Sequence, residues 1–473
     1  MERQHCFNYG SSRMIDVLIL FVLYIGIGLP ISLFLSGKRI NWQKTLGESF
    51  FLGIFVVIVV LNLMQLFSLS MAISILIKAF IFVSALSLAL IIYYKRSLFE
   101  LPSFGSLKEQ QNILYFMGLL LVIYHVYHMI VQNNALPLIA WDSWNGWVAK
   151  AKIWYYHGFN EPLVDRLVWL KSESEFTNPI AHYPDGLSLL YLINSGIWGW
   201  SETQLNAIFP AMFIAFLLMF YGNVKLLTES KNCAWLAVIL LIAIPIVNIH
   251  IILAGYADIW VAAYLAMSVF NTQYFLSQPS KKLFVIITIF AIAMLMFKLE
   301  SWIWMAIFVS AYLLSVMSKT KRLWLSILFI SVCIIWYFND GISISLPMGE
   351  LIFKPNLIQI PALGSFSLTY LNTTDALIEA LFLSNSWNIL WYSLPVLIIL
   401  PFKIKDKSLL LLPSIFLIFT LMFLFVLFYM TYASDFANDF TSSNRIVMHV
   451  VPVYIYLLIQ VFRQFNFQKN TIA

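Results

Sequence analysis

The chain has 473 residues, of which 61% are apolar and only 11% are charged, and its net charge at pH 7 is +6. Soluble proteins carry about 25% charged residues, so this composition excludes a soluble protein of this length, and it excludes a disordered chain for the same reason. The basic residues form short clusters between apolar segments, which argues against nucleic-acid binding. The composition predicts a membrane protein whose main solvent is lipid.

Thirteen apolar segments approach the roughly 20 residues that a membrane-spanning helix needs. They lie at 14–36, 48–68, 71–94, 112–132, 204–227, 233–253, 258–276, 282–298, 301–317, 322–338, 386–402, 408–431 and 446–463. The predicted fold is an all-α polytopic membrane protein. Its predicted parts are an N-terminal three-helix extension (1–111), a catalytic transmembrane module with a large outer loop (112–338), a second outer loop (339–385) and C-terminal transmembrane helices (386–473).

The positions of lysine and arginine predict which side of the membrane each loop faces, because short cytoplasmic loops carry an excess of both. When the 133–203 loop is placed outside, most of the 28 basic residues fall in the inside loops. The acids then concentrate on the outer side. We therefore expect any site built from carboxylates to lie at the outer face.

The 133–203 loop begins with an acid in an unusual setting. Asp142 follows directly on an apolar span and lies between Trp141 and Trp144. Aspartate is a favoured helix N-cap, and tryptophan is typical of the membrane interface, so structural roles stay open for all three residues. Neither role excludes a part in function.

Two helices are predicted to lie along the outer membrane surface. Apolar residues recur at helical spacing through 144–157, with Lys150 and Lys152 on the two sides of the stripe, which favours an interfacial helix. The apolar stretch 187–200 is too short to span, so we expect it to lie flat or re-entrant. The polar residues just before it include His182 and Asp185.

Five further polar residues map to the same outer face. Asp258 begins an apolar helix, and Lys298 and Glu300 lie at a membrane boundary, where unpaired charges cost a few kcal/mol. Arg445 and His449 are i, i+4 neighbours on one helix face, and arginine binds phosphate through two parallel hydrogen bonds. A helix cap, a snorkelling pair and a structural histidine stay open as alternatives for these positions.

The convergence of these residues says more than any one of them. They come from five regions of the chain, and a helical bundle could bring them together at one cavity. The set is Asp142, Lys150, Lys152, His182, Asp185, Asp258, Lys298, Glu300, Arg445 and His449. Carboxylates and cations together at a lipid–water boundary favour chemistry on a phosphate-linked lipid.

Five stretches of the sequence, in order, resemble the bacterial C-type (GT-C) glycosyltransferases that use polyprenyl-phosphate sugars. These stretches are WDSWNGWVAKAKIWYYHG, HYPDGLSLL, AGYADIWVAAYLA, FKLES and NRIVMHVVP. The superfamily is similar to protein O-mannosyltransferases and lipid A aminoarabinose transferases. The resemblance covers about 113–463, so the predicted fold of about 13 transmembrane helices with two outer juxtamembrane helices is GT-C-like. The resemblance also implies an integral protein of the bacterial inner membrane with a periplasmic site.

The function that the resemblance implies is transfer of a sugar from polyprenyl phosphate to a glycan or lipid acceptor, by one inverting displacement. The expected catalytic residues are Asp142, as general base, and Asp258. The expected contacts of the donor phosphate are Arg445, Lys298, Lys150, Lys152 and His449, and the expected substrate-orienting residues are His182, Asp185, Glu300 and Trp144. No nucleotide or redox cofactor is needed. A divalent cation stays open, although Ser143 replaces the second acid that would help to hold one.

Two other functions stay open. A transporter or flippase of lipid-linked glycans would also have many spans, but it often shows two related halves with interrupted helices, and no such halves are visible. A glycan polymerase or ligase would use a diphosphate-linked donor instead.

Overall fold

The computed structural model describes residues 2–35, 40–69, 72–94, 112–171, 176–338, 341–346, 349–361, 364–404, 407–440 and 442–472. The protein is mostly helical, at 76%. Within the described residues, six helices are long and apolar enough to cross a membrane, and a pair bent by 66° makes up a seventh. The predicted count of thirteen spans is therefore not confirmed, although each predicted segment is at least partly helical.

The described residues contain the following helices in chain order. They are α1 Glu2–Leu35, α2 Trp42–Leu66, α3 Ile73–Tyr94, α4 Asn112–Ala135, α5 Val148–His157, α6 Arg166–Trp169, α7 Gly186–Trp198, α8 Glu202–Leu205, α9 Ile208–Thr228, α10 Lys231–Ile242, α11 Pro245–Ile252, α12 Asp258–Ser277, α13 Lys281–Leu295, α14 Ser301–Val316, α15 Lys319–Phe338, α16 Thr374–Ile378, α17 Leu394–Ile399, α18 Ser408–Met430, α19 Ala433–Asn438, α20 Ser443–Met448 and α21 Val451–Ile472. A π-helical turn, Ser143–Trp147, leads into α5, and another, Glu379–Leu383, follows α16. Short 3₁₀ turns, Leu390–Ser393 and Leu400–Lys403, flank α17.

Glycines let the first two helices pack closely into the core. A Cβ on Gly28 would overlap the backbone of α2, and one on Gly53 would overlap the backbone of α1. Gly47 and Gly222 make the same kind of approach between α2 and α9. Small residues allow helix backbones in a membrane to come this near. The N-terminal helices consequently share one hydrophobic core with α9 and α12.

The outer helices carry apolar side chains that face away from the protein. Only 6% of the most apolar stretch of α3 and 28% of that of α18 are buried, whereas α9 is 89% buried and lies at the centre. A helix this apolar and this exposed matches a lipid environment, because a soluble protein rarely leaves such a continuous patch uncovered. These helices are compatible with an integral membrane protein.

The segment predicted as a second outer loop, 339–385, contains a small sheet, so the all-α prediction is wrong for this segment. Strands β1 Ile342–Leu346, β2 Gly349–Lys354, β3 Leu357–Ile360 and β4 Gly364–Ser367 form an antiparallel meander in chain order. The physical cause is alternation of apolar and polar residues in short runs, with a Pro-Asn turn between β2 and β3. Hydropathy does not indicate these strands, because a search for long apolar segments overlooks runs of only four to six residues.

The two predicted surface segments are both helical and pack on each other as α5 and α7. The amide of Gly186, which begins α7, donates to the carbonyl oxygen of Met296 at 2.9 Å. A Cβ on Gly186 would overlap that same carbonyl. This contact holds α7 against the turn between α13 and α14, and that turn carries Lys298 and Glu300.

Candidate functional site

One fully buried carboxylate lies at the centre of the predicted cluster. Asp258 is the first residue of α12, and its side chain does not cap the helix. Its Oδ2 accepts hydrogen bonds from Nε (3.1 Å) and Nη2 (2.8 Å) of Arg445. Its Oδ1 accepts from Nζ of Lys298 (2.9 Å) and lies 3.1 Å from Nε2 of His449. Four hydrogen bonds, three of them from cations, stabilise the ionised form of this carboxylate.

Arg445, in α20, joins this carboxylate to a second one. Its Nη2 donates to Oδ2 of Asp142 as well as to Asp258. The guanidinium lies over the ring of Tyr256, with its central carbon 4.5 Å from the ring centroid, which is a favourable cation–π arrangement. A residue from the last part of the chain is thereby fixed between the first outer loop and the start of α12.

The backbone around Asp142 explains why its side chain reaches this arginine. Asp142 has helical φ and ψ and makes no side-chain cap, and the π-helical turn follows it directly. π-helical turns often occur at functional sites. Gly255, at φ +109°, packs against Ser143, and a Cβ there would overlap the serine side chain. The close approach brings the Asp142 loop against the start of α12.

Lys298 links Asp258 to a third acid. Its Nζ is 2.9 Å from Oδ1 of Asp258 and 3.8 Å from Oε1 of Glu300. Oε2 of Glu300 is buried and has no hydrogen-bond partner in the structure. Of the five charged groups, Arg445 and Lys298 supply two positive charges, and the fully buried Asp258 contacts both of them. The other two acids, Asp142 at Arg445 and Glu300 at Lys298, are partly exposed, so the set has two cations and three carboxylates.

The hydrogen bonds of His449 fix its tautomer. The indole N–H of Trp304 donates to Nδ1 of His449 at 2.8 Å. Indole nitrogen is a donor only, so Nδ1 carries a lone pair and the proton of the neutral ring is on Nε2, facing Asp258. His449 is fully buried, and both of its nitrogens are engaged. The structure therefore gives it a place behind Asp258 rather than the predicted place at a phosphate.

These groups open onto a cavity of about 590 Å³, which we call the charged cavity. Its polar lining includes Asp142, Lys298, Glu300 and Arg445, and Asp258 lies at its base. Aromatic and aliphatic side chains from α14, α18 and the first outer loop form the other walls, among them Trp147, Trp304 and Phe423. The cavity lining thus combines charged groups with a larger number of aromatic and aliphatic side chains.

Lys150 holds one wall of this cavity in place. It is buried, and its ammonium donates to the carbonyl oxygens of Ala181 (3.2 Å) and Tyr183 (3.0 Å) and to Oδ1 of Asp185 (2.8 Å). An ammonium group has three donors, and all three are used here. The structure thus places Lys150 and Asp185 together as a support for the 181–185 segment, and it leaves neither where it was predicted, at phosphate or substrate.

The supported segment presents Tyr183 to the charged cavity. Burial, together with the nearby carboxylate of Glu300, raises the pKa of Tyr183 to about 12. Its hydroxyl therefore stays protonated at neutral pH and can donate a hydrogen bond to a ligand.

The remaining predicted residues lie at the edge of the site or outside it. His182 lines the cavity but is exposed, with Nδ1 3.1 Å from Oδ1 of Asp165. Lys152 forms an exposed pair with Glu202 at 3.3 Å and does not line the cavity. Trp144 is exposed and contacts Trp141 edge to face instead of lining the cavity.

The acids of the site do not favour a metal ion. Within the part of the chain that the structure describes, no group of three or more His, Cys, Asp or Glu side chains is placed to hold one. Asp258 and Asp142 already contact Arg445, and Lys298 bonds to the first of them. A donor set of guanidinium, ammonium and tyrosine hydroxyl suits an anion, so we derive no step through a divalent cation.

Three residues of the site escaped sequence reasoning: Trp304, Tyr183 and Tyr256. Each was near a predicted residue in the sequence, and Trp304 is four residues after Glu300 and so on the same helix face. An aromatic residue in a membrane protein is so common that its position carries no signal by itself. The only usable hint was the polar tip of each ring, which needs a partner when buried.

Comparison of the chain with protein-family models, with curated proteins and with solved structures finds no match. The chemistry of the charged cavity therefore has to be inferred from its geometry and from the resemblance of its sequence motifs.

Proposed function

We propose that the chain is a membrane glycosyltransferase that moves a sugar from a polyprenyl-phosphate donor to a hydroxyl group of a glycan or lipid acceptor. The observation that carries the proposal is the mixed lining of the charged cavity. Two cations and three carboxylates, two of them partly exposed, line it together with aromatic and aliphatic side chains. A lipid-linked sugar phosphate likewise combines a charged head with an apolar tail.

The donor phosphate would bind at Arg445 and Lys298. Asp258 holds both cations from the buried side, and Asp142 and Glu300 contact them from the open side, so a donor phosphate would bind by displacing these partly exposed acids. A phosphodiester oxygen would compete with Asp142 for Nη2 of Arg445. Arginine suits this exchange, because its planar group offers phosphate two parallel donors. Binding of the donor would then release the carboxylate of Asp142 beside the reacting sugar.

The reaction follows as a single displacement. Asp142 takes the proton of the acceptor hydroxyl, and the hydroxyl oxygen forms a bond to the anomeric carbon. The bond between that carbon and the phosphate oxygen breaks, and the electron pair leaves with polyprenyl phosphate. Arg445 and Lys298 stabilise the charge that builds on this leaving group. The proton passes from Asp142 to water after the product leaves.

The other groups of the cavity would orient the reactants. Oε2 of Glu300 is buried without a partner and can accept from a sugar hydroxyl. The hydroxyl of Tyr183 can donate to one. Asp258, held by His449, would keep Arg445 and Lys298 at a fixed spacing, because it bonds to both. A rigid pair of cations is worth more to a developing charge than a mobile pair.

The proposal places this site at the periplasmic face of a bacterial inner membrane. The support is the basic residues, most of which fall in loops on the side opposite the charged cavity in the predicted topology. The resemblance to GT-C enzymes supports the same side.

The test is an assay of polyprenyl phosphate release by the purified protein in lipid nanodiscs. Donors would be monosaccharides on polyprenyl phosphate, with the same sugars on polyprenyl diphosphate and on nucleotides as comparisons. We expect release of polyprenyl phosphate and a new glycoside from the first class only. Turnover of the diphosphate donors alone would favour a polymerase or ligase. Movement of the lipid-linked sugar across the bilayer without any release would favour a transporter.

A further inference from the structure

A second cavity, of about 400 Å³, also borders Arg445. It is formed by α11, the loop before α12, the segment 379–386 and α20. Its polar lining is His250, Tyr256, Glu379, Ser384, Ser386, Asn444 and Arg445. Neither the sequence motifs nor the proposed transfer step assigns it a role. Its size falls within the range of about 300–1,000 Å³ that is typical of small-molecule sites.

The hydrogen bonding of His250 gives this cavity an unused acceptor. Nδ1 of His250 is 2.8 Å from the carbonyl oxygen of Ile246. A carbonyl oxygen only accepts, so Nδ1 carries the proton and Nε2 presents a lone pair. His250 is 2% exposed, and its Nε2 has no partner in the structure. A buried polar atom left without a partner costs about 1–3 kcal/mol, and a ligand that donates to it would recover that cost.

The other lining groups define the chemistry of the ligand. Ser384 donates its hydroxyl to the carbonyl oxygen of Ala380 at 2.7 Å and accepts from the backbone amide of Ser386 at 3.5 Å, which leaves its second lone pair to accept from a ligand. Glu379 is exposed at the rim and also accepts. Arg445 donates, but Asp142 and Asp258 already balance its charge. The cavity therefore offers several acceptors, some donors and no surplus positive charge, which matches a neutral compound rich in hydroxyl groups.

The rest of the lining suits the apolar face of such a compound. The ring of Tyr256 lies between His250, at 5.0 Å between ring centroids, and Arg445. Burial raises the pKa of Tyr256, so the ring stays neutral. Ile246, Ile249 and Leu253 of the α11 side complete the wall. A sugar ring presents an apolar C–H face and polar hydroxyl edges, and both have counterparts here.

We propose that the second cavity is a binding site for a neutral sugar, with Nε2 of His250 accepting a hydroxyl hydrogen bond and the aliphatic wall of Ile246, Ile249 and Leu253 contacting the sugar face. If the proposed function holds, this sugar belongs to the acceptor, because Arg445 borders both cavities and contacts the proposed base Asp142. Only that last assignment rests on the proposed function. Binding itself needs neither a donor nor turnover.

The experiment measures binding of methyl glycosides to the full-length protein in nanodiscs, with no donor present. The probes are the methyl glycosides of glucose, galactose, mannose and N-acetylglucosamine, followed by saturation-transfer NMR and by titration. Two variants distinguish the role of Nδ1 of His250 from that of Nε2. His250→Gln can keep an acceptor at the position of Nε2, whereas His250→Asn keeps only the donor to Ile246. We expect His250→Gln to bind within about twofold of wild type and His250→Asn to bind about three- to tenfold more weakly.

A third variant keeps the test decisive if a histidine variant does not fold. Ile249 is 44% exposed and lines the cavity, so Ile249→Trp should fill the space and abolish binding. Ile292→Trp, at an exposed position on α13, is the matched control and should bind normally. Failure of every glycoside to bind wild type, equal binding by the Gln and Asn variants, or normal binding by Ile249→Trp would overturn the proposal. If the protein binds the glycosides but shows no transfer in the donor assay, the proposed glycosyltransferase is contradicted and the proposed binding site is not.

Discussion

The protein buries two carboxylates against the same helix, and they differ in what surrounds them. Asp258 begins α12, and Glu48 contacts Asn271, which is 13 residues further along that helix, about 20 Å at 1.5 Å per residue. Both side chains are buried and both have each oxygen engaged. Nζ of Lys44 is 2.8 Å from one oxygen of Glu48, and the amides of Asn271 (2.7 Å) and Asn223 (3.4 Å) donate to the other.

The difference lies in charge and in space. Glu48 has one cation and two neutral amides, so its pair with Lys44 is balanced, and it lines neither of the two cavities discussed above. Asp258 has two cations, and the charged cavity opens beside it. The Glu48 cluster joins α2, α9 and α12, whereas the Asp258 cluster joins loops and helix ends. A buried, hydrogen-bonded acid indicates structure when its partners are enclosed with it in the core, and it indicates a site when the charged groups that contact it line a cavity.

The largest difference between the two regions should appear in the transfer rate. Asp142→Asn keeps the shape of the side chain but cannot take a proton, so we expect transfer to fall by about 10²- to 10⁴-fold, or about 3–5 kcal/mol in the barrier. Donor affinity should not fall, because the amide competes less with phosphate for Arg445. The measurement is single-turnover transfer together with donor binding.

Asp435→Asn is the control for this substitution, since Asp435 is an exposed acid in α19 that does not line the charged cavity. Transfer by Asp142→Asn within a few-fold of wild type would remove Asp142 as the base. The difference between the Asp258 and Glu48 clusters would then concern donor binding and not the transfer step.

Substitution of Arg445 should have a smaller effect that depends on the shape of the group. Arg445→Ala removes the contacts to both acids, and Arg445→Lys keeps the charge without the forked geometry. A hydrogen bond to a charged group is worth about 1.5–3 kcal/mol, so donor affinity should fall about 10- to 150-fold in the alanine variant and recover only partly in the lysine variant. Titration of donor against the three proteins measures this. Arg166→Ala, at an exposed position in α6, is the control, and equal donor affinity in all three Arg445 proteins would contradict a phosphate site.

Glu48→Gln tests the other half of the comparison. The amide cannot pair with Lys44, and its nitrogen faces the donors of Asn223 or Asn271, so we expect a loss of about 1–3 kcal/mol in the free energy of unfolding. Transfer by the folded protein should stay at the wild-type rate. The measurement is thermal unfolding in nanodiscs followed by the transfer assay below the unfolding midpoint. A loss of transfer with unchanged stability would show that Glu48 is not merely structural.

The positions of the helices could be predicted well, because each predicted segment follows the hydropathy of the chain. Their number as spans could not. Pro245 cannot donate a backbone hydrogen bond, and it divides the predicted 233–253 segment into two helices at 66°. Short β-strands in the second outer loop carry too weak a period to compete with the expectation of an irregular loop.

The charged cluster shows which features of the site the sequence predicts and which it does not. A shared membrane face was enough to group Asp142, Asp258, Lys298 and Arg445, and the structure brings these four together. The same reasoning also grouped Lys150, whose ammonium is taken up by Asp185 and two carbonyl oxygens. Which cation faces the cavity depends on side-chain directions across long sequence separations, and residue spacing contains no information on those.

The smallest expected effect concerns the hydrogen bond between Trp304 and His449, the histidine that contacts Asp258. Trp304→Phe keeps an aromatic ring but removes the N–H that donates to Nδ1 of His449. The histidine proton is then free to move to Nδ1, which would turn a lone pair on Nε2 toward Oδ1 of Asp258 and repel it. A neutral hydrogen bond contributes about 0.5–1.5 kcal/mol, so we expect transfer to fall about three- to tenfold.

Nitrogen NMR of the His449 ring should show the proton on Nε2 in wild type and a mixture in the variant. Trp302→Phe is the control, because Trp302 is on the same helix but is exposed. An unchanged tautomer with unchanged transfer would mean that Asp258 is held by Arg445 and Lys298 alone, and the functional cluster would then end at those two cations.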